Sequence, residues 1–294
     1  MPAAEVRLSH LDKLLFPEAG ITKGDLVEHY RAVAARMLPR LRDRPLAVAR
    51  YPDGIEAPSF FQQGAPAHTP SWIRTATVPK EHGEITHILC QDERTLIYLA
   101  NQAAVTLHSW QARADRPDRP DQLLFDLDPH GDDFEAVRHA ALALHELLDD
   151  LGLPSLVKTT GGRGVHVIVP VLRRYDADEL RDFARSVSAV LVSREPHRYT
   201  SEIRKNKREG RLFLDITRNA YAQLAVAPYT VRAVPDARVA TPLDWAELAD
   251  GALLPGRFTL RTMPDRLAEA DPWRDPPGPV SLSKARQRIG DLAV

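Results

Sequence analysis

Cysteine is almost missing from this chain: 294 residues contain one, Cys90. A single thiol closes no internal disulfide, and its place in the apolar run ITHILC makes it a buried, inert side chain suited to a reducing cytoplasm. Long hydrophobic runs are missing too. None approaches the ~20 residues of a membrane span, and no signal-peptide pattern opens the chain, so no membrane role is expected. Glycine is scarcer than proline, 15 against 24, which points to fixed turns and extended connections rather than a helical bundle. Neither sign of charge dominates: 39 Lys and Arg against 40 Asp and Glu leave a net −1. That excludes a histone-like coat for nucleic acid but leaves room for a local basic groove. There is no internal repeat or low-complexity tract.

What is present is a globular composition, 44% hydrophobic and 27% charged, in a chain long enough for a sizeable core. Helices are predicted over 23–37, with Thr22 as N-cap, and over 93–102, 134–152 (closed by Gly152 and Pro154), 176–196 and 243–251. Strands are predicted over 44–52, 72–79, 84–90, 105–110, 122–130, 156–160, 165–171 and in RLFLDIT, with an extended stretch after it and a loose tail ending in a half-helix. Strands and helices mixed along the whole length give an α/β (α+β) fold with no linker break. The expectation is a single domain over 1–294, with an N-terminal region over 1–115, a catalytic core over 116–250 and a tail over 251–294.

The chain is organised around QLLFDLDPH. Asp126 and Asp128 sit in a buried strand, on one face, about two residue rises (~6.5–7 Å) apart. Two unpaired carboxylates on a half-buried face repel each other, and a hard divalent cation, Mg²⁺ or Mn²⁺, is the cheapest rescue. A strand end with aspartates facing water or capping the next helix is the plainer reading. Downstream, KTTGGRGVHVIVP places Gly161, Gly162 and Gly164 in a turn whose amides suit phosphate oxygens, with Lys158, Thr160, Arg163 and His166 around it. A plain β-hairpin has the same pattern. Asp215 in RLFLDIT is either a third carboxylate of a two-metal set or a hydrogen-bonded edge aspartate. Arg204, Lys205, Lys207, Arg208 and Arg211 form the densest basic run, a solvated loop unless it faces phosphate. Taken together, carboxylates, amides and cations are what phosphoryl transfer requires.

FDLDP, KTTGGRGVHV, FLDI and APYTVRA…ATPLDW, in this order and spacing, resemble the polymerase domain of bacterial ligase D, a branch of the archaeo-eukaryotic primase superfamily. DKLLFPEAGITKGD, RPLAVARYPDG, FFQQ and HSWQARADRPDRPD extend the likeness over nearly the whole chain. The resemblance implies a primase-like fold with an RRM-like catalytic core. It implies a nucleotidyltransferase that adds NTPs or dNTPs to DNA ends and gaps, often preferring ribonucleotides and Mn²⁺. Asp126, Asp128 and Asp215 match the family's catalytic and metal-binding triad. Thr160 (usually serine), His166, Arg208, Arg232, Arg50 and His108 match its nucleotide site. Lys13 and Lys23 match its pocket for a DNA 5′-phosphate, and Phe60 and Phe61 its template-stacking aromatics. Without the family, His108, Phe60 and Phe61 read as core residues and the two lysines as surface residues.

Three positions depart from the family pattern. Ala49 replaces a lysine before Arg50, Val234 stands where a second arginine is common, and Gln63 replaces a basic or polar residue. Ligase and nuclease segments are lacking, so the expectation is a stand-alone polymerase or an excised domain, with a Ku-type end-binding protein and a DNA ligase as implied partners. A primase that starts chains de novo and a non-catalytic end-binding module are the competing expectations.

Overall fold

The structure, a computed structural model, describes residues 6–292. In chain order it contains β1 (Leu14–Phe16), β2 (Ile21–Thr22), α1 (Lys23–Leu41), β3 (Pro45–Arg50), β4 (Phe60–Gln62), β5 (Thr75–Pro79), β6 (Glu84–Leu89), α2 (Glu93–Asn101) and β7 (Ala104–Trp110). There follow β8 (Gln122–Asp128), α3 (Phe134–Asp150), β9 (Leu156–Thr159), β10 (Val165–Pro170), α4 (Ala177–Arg194), β11 (Tyr199–Thr200) and β12 (Leu212–Asp215). The last elements are β13 (Leu224–Val226), β14 (Pro242–Leu243), α5 (Trp245–Ala249), α6 (Met263–Ala268) and α7 (Ser283–Leu292). The mixed α/β class expected from the sequence is the one found. None of the described helices is long and apolar enough to cross a membrane.

These elements form two compact units. One comprises the chain through Asp115 together with Leu224–Thr241 and Gly256–Asp271; the other comprises Arg116–Gln223, Pro242–Pro255 and the chain from Pro272 onward. The first unit is built on a sheet of order β13-β7-β3-β6-β5, with β4 added to β3, plus the two-stranded β1-β2 sheet. Its helix α1 starts at a reciprocal cap, in which the Thr22 hydroxyl accepts from the Asp25 N–H and the Asp25 carboxylate accepts from the Thr22 N–H. The helix runs past Met37 to the fully buried Leu41, because its apolar stripe continues one more turn.

The second unit carries the sheet β11-β12-β8-β10-β9-β14. Strand parity divides its two faces. Leu123, Phe125 and Leu127 pair with Val169, Val167 and Val165, and all six are buried at no more than 1% exposure. This face is pure core, and burying such side chains supplies ~1.5–3 kcal/mol each before the cost of ordering them. The other parity carries Asp126, Asp128, His166, Lys158 and Asp215, so all the chemistry of the strands lies on one face. Helix α3 is capped by Asp133, which accepts from the Ala136 N–H, and ends where Gly152 takes a φ of +72° and the Leu153 N–H reaches back to Leu148 O at 2.8 Å.

Candidate active site

Register brings the three aspartates together. β12 pairs antiparallel with β8 so that Asp215 stands opposite Asp126, and Phe213 opposite Asp128. Directly opposed residues have Cβ atoms about 4.5–5.5 Å apart. On the far side of β8, His166 of β10 stands opposite Asp126, and Lys158 of β9 opposite His166. The result is a row across four strands: carboxylate, carboxylate, imidazole, ammonium. Two side chains beyond β12 support this arrangement, Thr217 by orienting Asp215 and Asn219 by bonding across to β8. The Thr217 N–H and hydroxyl donate to Asp215 Oδ1 at 2.7 and 2.6 Å. The Asn219 amide replaces a strand partner for Leu124, accepting from its N–H at 2.8 Å and donating to its carbonyl at 2.7 Å.

Electrostatically the row is tense. Asp126 is 6% exposed and His166 3%. Burial works to raise the Asp126 carboxyl, but His166, Arg218 and Lys158 outweigh it and hold the group below its usual range. The ring of His166 is pushed down to about 4 by burial and by the Lys158 ammonium, against the pull of Asp126. The imidazole is therefore neutral at pH 7. It donates from Nε2 to Asp126 Oδ1 at 3.3 Å and leaves a buried Nδ1 with no hydrogen-bond partner among the described residues. Arg218, which no sequence motif singles out, reaches Asp126 Oδ2 with its Nε at 3.5 Å. Its only sequence signal is its place three residues after Asp215 in a polar turn.

Asp128 behaves oppositely. Loss of hydration, then repulsion from Asp126 and Asp215, pushes its carboxyl up to about 6, only partly countered by Arg218 and Arg163. Such uncompensated negative charge suits a hard cation, and three carboxylates at adjacent register positions are a suitable donor set. Asp126 and Asp215 are turned to protein partners while Asp128 is exposed at the strand end, and among the described residues no three His, Cys, Asp or Glu side chains are arranged around a common point as metal ligands. The fit is therefore one of donor chemistry and register.

The glycine turn closes against this row. Gly161 takes a φ of +65°, and the Thr160 N–H and hydroxyl both donate to Gly164 O, at 3.0 and 3.1 Å, while the hydroxyl accepts from the Gly162 N–H at 3.2 Å. Gly164 has no room for a side chain, since a Cβ there would lie 2.2 Å from Leu127 O. Lys158 is 1% exposed and donates to Thr159 O, so its charge acts from beneath the sheet surface. Outside the row, a cleft of about 250 Å³ is lined by Asp128, Pro129, His130, Gly131, Arg163, Lys205 and Arg208. Arg163 lies 3.6 Å from Asp132 at the surface, and Arg208 is folded over Phe213.

The first unit holds the remaining sequence candidates. Phe60 and Phe61 on β4 are 59% and 53% exposed, unlike core residues. Phe61 pairs with Ala49, and His108 with Ala47, so both rings share a face and meet edge-on with centroids 5.4 Å apart. Two small alanines leave the space for that contact, which gives Ala49 a steric role where a lysine would project. Arg50 spans Gln102 O, Gln102 Oε1 and Gln62 Oε1 at 2.9–3.1 Å. The backbone N–H of Arg232 donates to Arg238 O at 2.7 Å. Lys13 pairs with Asp53 at 2.6 Å. Lys23 is buried, donates to Asn101 O at 3.2 Å, and has its ammonium pKa lowered by burial and then by Lys13, so the two ammonium groups feel one another.

Comparison with known proteins gives consistent matches at the level of family and fold. Residues 22–273 match the LigD primase-polymerase domain. The chain is 33% identical over 290 residues to the multifunctional non-homologous end joining protein LigD of Pseudomonas aeruginosa, covering 97% of this chain and 34% of that protein. It is 32% identical over 266 residues to the bifunctional LigD of Bacillus subtilis, covering 90% and 42%. It therefore spans about a third to two fifths of the length of these relatives. The polymerase domain from Mycobacterium tuberculosis Ligase D, solved in complex with DNA, matches with a TM-score of 0.87 and 31% identity over 93% of this chain and 99% of that one.

Proposed function

The chain belongs to the LigD primase-polymerase domain family, and we propose that it is a nucleotidyltransferase that adds nucleotides to the 3′-hydroxyl of DNA ends and short gaps beside a downstream 5′-phosphate. The observation that carries this reading is the pairing of Asp215 with Asp126, next to Asp128 and the glycine turn. Asp126, Asp128 and Asp215 would hold divalent Mg²⁺ or Mn²⁺, which when bound supplies Lewis acidity toward a primer hydroxyl and countercharge for a departing pyrophosphate.

The chain's own groups do the rest. His166, neutral and hydrogen-bonded to Asp126, fixes that carboxylate's orientation, and together with Arg218 and Lys158 favours its ionised form. The amides of Gly161 and Gly164, with Arg163 at the cleft, provide donors for a triphosphate, while the Gly162 amide holds the turn through Thr160. Thr160 spends its hydroxyl inside the turn and so shapes the amides rather than reaching outward. In the first unit, Arg50, His108 and Arg232 serve the incoming nucleotide. Lys13 and Lys23 serve the 5′-phosphate, where two ammonium groups favour a terminal phosphate over an internal one. Exposed Phe60 and Phe61 stack on template bases, each such contact being worth ~1–3 kcal/mol. Repair of double-strand breaks with a Ku-type protein and a ligase is the setting this activity would serve.

The test is extension of a gapped duplex with Mn²⁺, with and without the downstream 5′-phosphate, comparing NTPs with dNTPs. Incorporation that rises with the phosphate supports the proposal. Phosphate-dependent binding with no incorporation would instead indicate an end-binding module, and dinucleotide synthesis on unprimed single strands a primase.

A further inference from the structure

The loop between β11 and β12 holds the densest basic run of the sequence, and one side chain fixes its shape. Arg208 donates from Nε to Glu202 O at 3.0 Å and from Nη2 to Ile203 O at 2.9 Å. Its guanidinium lies 3.9 Å from the centre of the Phe213 ring, and Phe213 is the cross-strand partner of Asp128. A short 3-10 turn, Lys205–Lys207, completes the knuckle, with the Lys207 N–H bonded to Arg204 O at 2.9 Å. The loop is thus indexed to the strand that carries the acidic row.

Just before this turn, in the same braced loop, Ile203 is 66% exposed, more than any other large apolar side chain described. A single exposed isoleucine needs no explanation by itself. Here, however, it is held in place by one hydrogen bond on its own carbonyl and one on that of Glu202, and Arg204, Lys205 and Lys207 follow within four residues. Among the described residues none of these three side chains has a carboxylate partner. Unpaired cations attract phosphates but read no feature of a DNA end, since phosphates recur all along the duplex. A flat apolar base-pair face is open to contact only where the duplex ends.

We propose that Ile203 is an apolar wedge that packs on the terminal base pair of a DNA end, with Arg204, Lys205 and Lys207 on the adjoining phosphates. This rests on the reading of the chain as a DNA-end enzyme and names the element that recognises the end itself. Aliphatic side chains, isoleucine among them, are known to pack against base steps in DNA-binding proteins.

The experiment measures binding of the full chain without nucleotide or metal ion. One DNA is a hairpin with one blunt end and 2-aminopurine in its terminal pair. The other is a closed dumbbell of the same sequence with no end. The wild-type chain is expected to change the 2-aminopurine fluorescence on binding. Ile203→Ala should weaken hairpin binding by about threefold to tenfold, abolish the fluorescence change, and leave dumbbell binding as it was. Ile203→Leu should restore both. Lys205→Ala with Lys207→Ala should weaken both DNAs alike and flatten the salt dependence by about two counterions. Hairpin affinity and fluorescence unchanged in Ile203→Ala would overturn the proposal, and so would an equal loss on both DNAs. Because no nucleotide is present, failure of incorporation in the extension assay leaves this result readable.

Discussion

Replacing Gly164 with alanine puts the close packing beside the acidic row to a direct test. The new Cβ would lie 2.2 Å from Leu127 O, 3.2 Å from the Leu127 carbonyl carbon and 3.1 Å from Asp128 Oδ1. The first two are backbone atoms of a central strand, paired on both sides, so that strand cannot yield. Gly164 cannot retreat either, because its carbonyl accepts two hydrogen bonds from Thr160. Overpacking a filled site costs typically ~1–3 kcal/mol, and with both partners held the cost belongs at the upper end, about 3 kcal/mol. At ~2–4 °C per kcal/mol for a domain of roughly this size, Tm should fall by about 6–12 °C. Gly162→Ala is the control, since its Cβ would meet only the Thr160 hydroxyl at 3.3 Å, and a loss below about 1 kcal/mol is expected. Thermal unfolding followed by circular dichroism reads both. A Gly164→Ala protein melting within about 1 °C of wild type would refute the packing argument.

Further outcomes are expected. Asp128 titrates near 6 in the folded chain against 3.8 in an unfolded one, so between those values the folded state holds a proton that the unfolded state has released, and stability falls as pH rises through that window. In EDTA, Asp128→Asn should therefore melt above wild type at pH 8, with the gap closing as pH drops below 4; a gap independent of pH would count against the charge crowding. Lys13→Ala combined with Lys23→Met, which keeps the buried stem of Lys23, should erase most of any preference for a 5′-phosphorylated gap, by about tenfold, as read from extension of paired substrates. Phe60→Ala with Phe61→Ala should weaken single-stranded template binding by about tenfold or more without lowering Tm appreciably, since both rings are exposed.

The strands that bear the chemistry were legible because their apolar residues alternate around the acids: Leu124, Asp126 and Asp128 on one parity, Leu123, Phe125 and Leu127 on the other. The capping of α1 by Thr22 and the closing of α3 at Gly152 were legible for the same local reason. The pairing of Asp215 with Asp126 was not, because register between strands some ninety residues apart is set by tertiary packing, here including Asn219 beyond the strand end, which bonds across to Leu124. β4 went unseen in a Gly- and Pro-rich stretch, where three residues suffice once the edge of β3 is available. Lys23 carries no periodic signal of its burial, and Arg218 lies in a turn with no pattern. Equally hidden was the return of Leu224–Thr241 and Gly256–Asp271 to the unit formed by the chain's beginning.

We propose that three aspartates on one sheet face form a single nucleotide-transfer centre. The most direct measurement is single-nucleotide incorporation at a 5′-phosphorylated gap with Mn²⁺ by wild type, Asp126→Ala and Asp215→Asn, with DNA affinity measured alongside. Loss of incorporation by about 10²-fold or more in both variants, at unchanged DNA affinity, is the predicted result. Incorporation at the wild-type rate in either one would contradict it.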